Sequence, residues 1–236
     1  MQVKLDLHNH SCLSPCANDD FSPALLAVEA MEQGIQILAL TDHNSARNLA
    51  PFQEACQLCG ILPLFGLEVS TVEEVHVLTL FSHLKDAQQF GSFIEFLLPE
   101  QKNRTDLFGN QLVVDIDGEV IETVDKLLVG STSLAFSDVV EEALSRDALV
   151  IPAHIDRFAN SVLANLGFLP DLPYTALEAI HLPVQADTHH LAILTGSDAH
   201  CLEQVGRRSC FIEMEEISYE ALKKSLSEAK NISYRQ

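Results

Sequence analysis

The chain alternates short apolar runs with longer stretches whose apolar positions recur every three or four residues. The short runs are VKLDL (3–7), IQILALT (35–41), ILPLFGLEV (61–69), VHVLTLF (75–81), ALVIPA (148–153), ALEAI (176–180), LAILTG (191–196) and SCFIEM (209–214). Each is of strand length and rich in Val, Ile, Leu or Phe, which predicts strands with both faces covered. Between the first two lies SPALLAVEAMEQG (22–34), where Ser22 suits a helix N-cap, Pro23 the first turn and Gly34 the exit. NLAPFQEACQLCG (48–60) repeats that logic and ends at Gly60. VVEEALSRD (139–147) and YEALKKSLSEAK (219–230) also carry helical periodicity. Strand–helix alternation of this kind predicts an α/β fold around a parallel sheet, open or closed.

The rhythm breaks over residues 83–135. DAQQFGSFIEFLL (86–98) predicts a helix, and VVDIDGEVIETV (113–124) a hairpin turning at Asp117-Gly118. This stretch reads as an insertion into a single domain spanning 1–236.

Composition narrows the function classes. At 236 residues and 47% hydrophobic, the chain can bury a sizeable core. No apolar run approaches a membrane span, and Lys4 and Asp6 inside the first apolar run argue against a signal peptide. The six cysteines do not form a disulfide framework, and Cys56 and Cys59, in a helical pattern, read as packing residues. A cytoplasmic location with no membrane partner is expected. The formal net charge of −20 repels long polyanions, so no long nucleic-acid groove is expected. A small phosphorylated substrate is compatible with that surface when bound cations reverse the field locally.

Candidate chemistry gathers where the apolar runs end. His8 and His10 follow VKLDL; Asp42, His43 and Asn44 follow ILALT; Glu68 lies near the end of LFGLEV; His76 opens VHVLTLF; His154, Asp156 and Arg157 follow ALVIPA; Asp198 and His200 follow LAILTG. A lone histidine in such a place is usually a loop or core residue, and Glu68 in an apolar run needs a buried partner. Their recurrence in successive units points to one shared metal site, at the face where α/β barrels hold their active sites. Imidazole and carboxylate with little thiolate suit Zn, Mn or Fe, and the donors exceed what one zinc needs, so two or three divalent ions are implied. Clustered ions activate water and clamp phosphoryl oxygens.

In order along the chain, DLHNHS, LTDHN, GLEV, VHVL, PAHIDR and GSDAH resemble the motifs of the PHP (polymerase and histidinol phosphatase) family. The resemblance implies a distorted (β/α)7 barrel, TIM-like, with a metal site at the C-terminal ends of its strands and phosphoesterase activity. Carried over residue by residue, it makes His8, His10, His43, Glu68, His76, His154, Asp198 and His200 metal ligands, with Glu68 bridging. Glu68, Asp198 and His200 are then also the catalytic residues. Eight residues after the first histidine, where the family commonly has Asp or His, this chain has Cys16. Cys16 is the expected ninth ligand, with Asp19 or Asp20 as the alternatives. Arg157 is expected to bind the substrate phosphate, with Arg104 as a second candidate. Asp6 and Asp42 are expected to orient their neighbours, and Glu178 stays outside the core set.

The expected activity is hydrolysis of small phosphomonoesters, nucleotide-type or histidinol-phosphate-type, and short oligonucleotides are compatible with it. An amidohydrolase-like metal hydrolase is the alternative, although Lys85, Lys102 and Lys126 lie away from the strand ends where a bridging lysine belongs. A non-catalytic metal-binding module is the third reading, against which the nearly complete ligand set argues.

Overall fold

The computed structural model describes residues 1–228 and 232–234. Its strands are β1 (Gln2–Asp6), β2 (Ile37–Leu40), β3 (Leu62–Ser70), β4 (His76–Phe81), β5 (Leu112–Val114), β6 (Val120–Thr123), β7 (Leu149–Pro152), β8 (Leu177–Glu178), β9 (Ile193–Leu194), β10 (Cys210–Glu213) and β11 (Ile232–Tyr234). The helices are α1 (Pro23–Glu32), α2 (Leu49–Cys59), α3 (Leu84–Leu97), α4 (Thr105–Phe108), α5 (Phe136–Ser145), α6 (Val162–Leu166) and α7 (Tyr219–Ser227). The last residues of the helix predicted over 219–230 lie outside the described residues.

A curled seven-stranded sheet runs in the order β11-β10-β1-β2-β3-β4-β7. β1, β2 and β3 are parallel, whereas β4 is antiparallel to both β3 and β7, and β10 is antiparallel to β1. The uniformly parallel sheet predicted from the alternation therefore holds only in part. Only residues 71–75 separate β3 from β4, fewer than a parallel crossover requires, so the chain turns straight back. β8 and β9 form a short parallel pair beside the main sheet. The Ile155 N–H donates to the Glu178 carbonyl (2.8 Å), and the Asp198 N–H to the His8 carbonyl (2.8 Å). This pair thereby links the end of β7 to the end of β1.

Both faces of the sheet are buried. Val3, Leu5, Ile37, Ala39, Leu64, Leu78, Leu80 and Ile151 pack together inside the curl. Their neighbours Leu38, Leu40, Phe65, Val77 and Val150 pack outward against the helices. That double burial is why the strands read as continuous apolar runs. The helix signals act as expected. The Ser22 hydroxyl accepts the Leu25 N–H, Pro23 opens α1, and Gly60 takes the left-handed conformation that ends α2. Cys56 is buried in the core behind α2.

Residues 98–128 carry the predicted hairpin, β5 paired with β6, and a small core of their own. In that core Leu98, Val113, Val124 and Leu128 pack on Leu13. The Leu112 N–H donates to the Cys12 carbonyl (2.9 Å), and the Asn44 carboxamide donates to the Leu128 and Gly130 carbonyls (2.6 and 2.9 Å). The segment thus lies against the loops that follow β1 and β2. Among the described residues no helix is long and apolar enough to cross a membrane.

Candidate metal centre

The ends of β1, β2, β3 and β7, the start of β4 and the loop after β9 meet at one point. His76 belongs there because β4 runs backwards: it pairs with Ser70 at the end of β3, so the first residue of a reversed strand reaches the same face as the last residues of its parallel neighbours.

Glu68 is the hub. It is 1% exposed, and its carboxylate lies 2.7 Å from His76 Nδ1, 3.1 Å from His154 Nε2, 3.2 Å from His43 Nδ1, 3.3 Å from His10 Nε2 and 3.4 Å from His8 Nε2. Asp198 faces it from the other side, with Oδ1 3.4 Å from His8 Nε2, 3.3 Å from His10 Nε2 and 3.7 Å from His200 Nδ1. Three overlapping sets of donor atoms are close enough to hold an ion: His8, His10, Glu68 and Asp198; His43, Glu68 and His76; and His10, His43 and His200. His154 adds its contact with Glu68.

A layer of hydrogen bonds turns the imidazoles inward. His8 Nδ1 lies 2.9 Å from Glu178, His10 Nδ1 2.9 Å from the Ser14 hydroxyl, and His200 Nδ1 2.9 Å from the Asp198 carbonyl. Each contact places the Nδ1 proton on an acceptor and leaves Nε2 for the centre. Ser14 is in turn fixed by Asp42, which accepts from the Ser14 hydroxyl (2.7 Å), the Ser11 hydroxyl (2.6 Å) and the Ser11 N–H (2.7 Å). Asp6 accepts the Ser197 N–H (2.9 Å). Glu178 also accepts the backbone N–H of His154 (2.9 Å). His154 and Asp198 both sit at positive φ, +32° and +49°, and the loop around Asp198 is clamped by two arginines. Arg207 donates to the Ser197 and Asp198 carbonyls (2.7 and 3.1 Å), and Arg208 to those of Gly196 and Ser197 (2.9 and 3.2 Å). Such strain persists only where the surroundings impose it.

The electrostatics call for cations. Burial would raise the Glu68 pKa, but the imidazoles around it, His76 and His8 foremost, hold it well below the carboxylate range. Burial is likewise overcome at Asp198, which His8 and His10 also hold low. Burial lowers the pKa of His8 and His10, yet the surrounding carboxylates outweigh it, lifting His8 well above its usual range and His10 to about 9. At His43 burial prevails and the pKa falls well below 6.5; at His200 it falls to about 4. The pocket thus holds buried anions that require positive charge and neutral imidazoles that can donate lone pairs.

The donors fit divalent metal. His8 Nε2 and His10 Nε2 face each other at 3.3 Å, and the neighbouring carboxylate oxygens stand 3.3–3.4 Å away. Ligands at about 2.0–2.1 Å around a tetrahedral ion are separated by roughly 3.3–3.4 Å. His43 Nδ1, which faces Glu68, is buried without a hydrogen-bond partner, an arrangement that an ion relieves.

Two expected members, Cys16 and Arg104, make none of the contacts just described. Cys16 belongs to none of the three donor sets and is an exposed residue. Its thiol is pushed up to about 12, first by loss of water around it and then by the Glu68 and Asp198 charges. Asp19 accepts a hydrogen bond from Asn110 (2.7 Å) at the surface. Arg104 pairs with Asp106 (2.7 Å), both side chains more than 60% exposed. Arg157, by contrast, reaches to 3.5 Å from Asp198 Oδ2 at the mouth of the centre. Lys126, one of the lysines weighed for a bridging role, instead binds the Glu95 carbonyl and Glu100 (2.9 Å each). Ser14, Arg207 and Arg208 are supporting residues that the sequence did not single out, and Glu178, left outside the core set there, supports the centre with them. Glu178 carried the same signal as Glu68, a carboxylate inside an apolar run.

Comparison with known proteins agrees with this picture. The family model of the PHP domain matches residues 6–161. A 5'-3' exoribonuclease of Haemophilus influenzae is 35% identical over 83 residues, which are 34% of this chain and 29% of that protein. The fold matches a lesion-specific endonuclease from Pyrococcus furiosus at a TM-score of 0.73 and 19% identity, covering 99% of this chain and 58% of the endonuclease chain. It also matches, at a TM-score of 0.67 and 19% identity, an endonuclease Q in complex with a 27-mer duplex that carries an abasic lesion at the active site, again covering 99% and 58%. This chain therefore spans little more than half the length of these endonucleases. The expectation that no long nucleic acid is accommodated must be corrected. A protein of this fold holds a 27-mer duplex at its active site, so the architecture does not bar one. Net charge describes the whole surface, whereas Arg157, Arg207 and Arg208 concentrate positive charge around Asp198.

Proposed function

The chain belongs to the PHP domain family, a metal-dependent hydrolase by its fold and donor set, and we propose that it hydrolyses phosphate esters of the nucleotide or nucleic-acid type at a centre of two or three divalent ions. The observation that carries this reading is the convergence of His8, His10, His43, Glu68, His76, His154, Asp198 and His200 on one buried point with Arg157 at its mouth. The reading includes a distorted (β/α)7 barrel in which the β8–β9 pair closes the gap between β7 and β1, with the centre at the carboxyl ends of its parallel strands. It also includes a single domain in which residues 83–135 are an insertion.

Each residue has a role in this scheme. Glu68, with imidazoles on both sides, would be shared between neighbouring ions. His8 and His10, aimed by Glu178 and Ser14, would hold one ion together with Asp198. When bound, Zn, Mn or Fe(II) supplies a water acidic enough to attack at neutral pH and neutralises phosphoryl oxygens. Asp198, less deeply buried than Glu68 and at the mouth, is placed to take the proton of the attacking water. His200 supports it through the hydrogen bond to the Asp198 carbonyl. Arg157 exchanges Asp198 for the substrate phosphate, for which a guanidinium fork is suited. A cytoplasmic location belongs to the same proposal, since Cys12, Cys56 and Cys210 are buried as free thiols, as a reducing compartment allows.

The test is elemental analysis of protein purified without chelator, before and after reconstitution with Zn, Mn or Fe(II). It is followed by assay against phosphomonoesters, phosphodiesters, nucleotides and oligonucleotides. At least two ions per chain and turnover of a nucleotide-type ester are expected. Failure to retain metal, or retention with no hydrolysis of any ester, refutes the proposal.

A further inference from the structure

Phe158 follows Arg157 directly, and at 92% it is the most exposed large apolar side chain among the described residues. Burial cannot explain a phenyl ring at that position, because a ring left in water contributes nothing to the core. Nor is it carried on a loose loop. The Arg157 N–H donates to the His154 carbonyl (2.9 Å), and the Ser161 hydroxyl to the Arg157 carbonyl (2.6 Å). Asp156 accepts the N–H groups of Ile180 and His181 (2.7 Å each). Asn160, at a φ of +56°, offers its carbonyl to the His76 N–H (3.1 Å). The turn is therefore fixed to two residues of the centre, His76 and His154, and it carries a guanidinium and an exposed aromatic ring on consecutive residues. Consecutive Cα atoms are about 3.8 Å apart, so the two side chains leave the backbone at neighbouring points of one turn beside the centre.

We propose that Phe158 is a stacking platform for an unpaired nucleobase of the substrate, next to the phosphate gripped by Arg157. This rests on the phosphoesterase reading and narrows it. The substrate is a nucleotide, or a nucleic acid whose base at the scissile position is out of the duplex stack, because only such a base has a free face. Stacking tolerates any base, so the platform selects for the presence of a base and not for its identity.

The chain has no tryptophan, so Phe158→Trp places a single indole reporter at the platform. Metal-loaded Phe158→Trp is titrated with a short single-stranded oligonucleotide and with one of equal length made of abasic residues. Quenching of the indole by the first and not by the second is expected. In parallel, the affinity ratio of the two oligonucleotides is measured for wild type and Phe158→Ala. Stacking is worth enough that this ratio is expected to fall about 5- to 150-fold in Phe158→Ala and to be restored in Phe158→Tyr. If both oligonucleotides bind and the ratio is the same in wild type and Phe158→Ala, the platform is refuted while the phosphoesterase reading stands. If neither binds and no phosphate ester is hydrolysed, both fall together.

Discussion

Glu178 offers the sharpest test of how the centre is built, because it touches no substrate and binds no ion in the arrangement proposed. It is 4% exposed, and its Oε2 accepts from His8 Nδ1 and from the His154 N–H, each at 2.9 Å. In Glu178→Gln the amide oxygen can replace Oε2 and keep both contacts, but as neutral hydrogen bonds. A bond to a charged acceptor contributes about 1.5–3 kcal/mol and a neutral one about 0.5–1.5 kcal/mol. The His8 bond is the one coupled to metal, since an ion on Nε2 makes the Nδ1 proton more acidic. Its weakening by about 1–1.5 kcal/mol lowers metal affinity roughly 5- to 13-fold. Glu178→Ala removes the acceptor altogether and leaves the His154 N–H buried without a partner. Its affinity is expected to fall about 10- to 100-fold, with a further loss of about 1–3 kcal/mol in stability. The assay is competition for Zn or Mn against a chromophoric chelator, read alongside chemical denaturation of the metal-free protein. Wild-type affinity in both variants would refute the reasoning and reduce Glu178 to a packing partner.

Glu68→Gln removes the negative charge and turns one of the two acceptor oxygens among the imidazoles into an NH2 donor; fewer ions per chain and a loss of turnover of at least about tenfold are expected, and unchanged metal content with full activity would contradict the bridging role. Arg157→Ala removes one charge-assisted contact, so kcat/KM on phosphate esters is expected to drop about 10- to 150-fold; unchanged kinetics would leave Arg157 as a partner of Asp198 alone. Gly196→Ala would set a Cβ directly against Glu178 Oε1 and 2.7 Å from His8 Cβ. An overpacking loss of about 1–3 kcal/mol should appear as a lower melting temperature together with weaker metal binding, and an unaltered melt would show that the loop yields. Cys16→Ala is expected to keep the wild-type number of ions, because the thiol stands outside the donor sets, and loss of one ion on elemental analysis would return Cys16 to the centre.

Most of the centre was legible because its chemistry is local. Each of the converging side chains lies at or next to one end of an apolar run, and a titratable group at such a place is costly unless something repays its burial. Glu178 gave the same sign in ALEAI, but β8 is only two residues long, too short for its position to be read as a strand end. Arg207 and Arg208 act through backbone carbonyls ten or so residues away, and adjacent arginines look in sequence like a solvated surface. Cys16 was set near the centre by its spacing from His8, which says nothing about depth. The direction of β4 was legible after all. An apolar run reads the same in either direction, but the short link from Ser70 to His76 admits only a hairpin.

That reversal has an effect beyond His76. Since β4 descends away from the metal face, α3 must climb back towards it, and Ser45, two residues past His43, meets α3 at Glu95 (2.6 Å). The chain is thus returned to the mouth of the centre at residue 98 and stays there until α5 carries it away. A conventional strand–helix unit would have spent that passage on a brief turn. Here it becomes an exchangeable wall, seated on Leu13 and on Asn44 but supplying none of the ligands. Lengthening, trimming or grafting residues 98–130 is a way for evolution, or an engineer, to redraw which substrates approach while the reacting atoms keep their places.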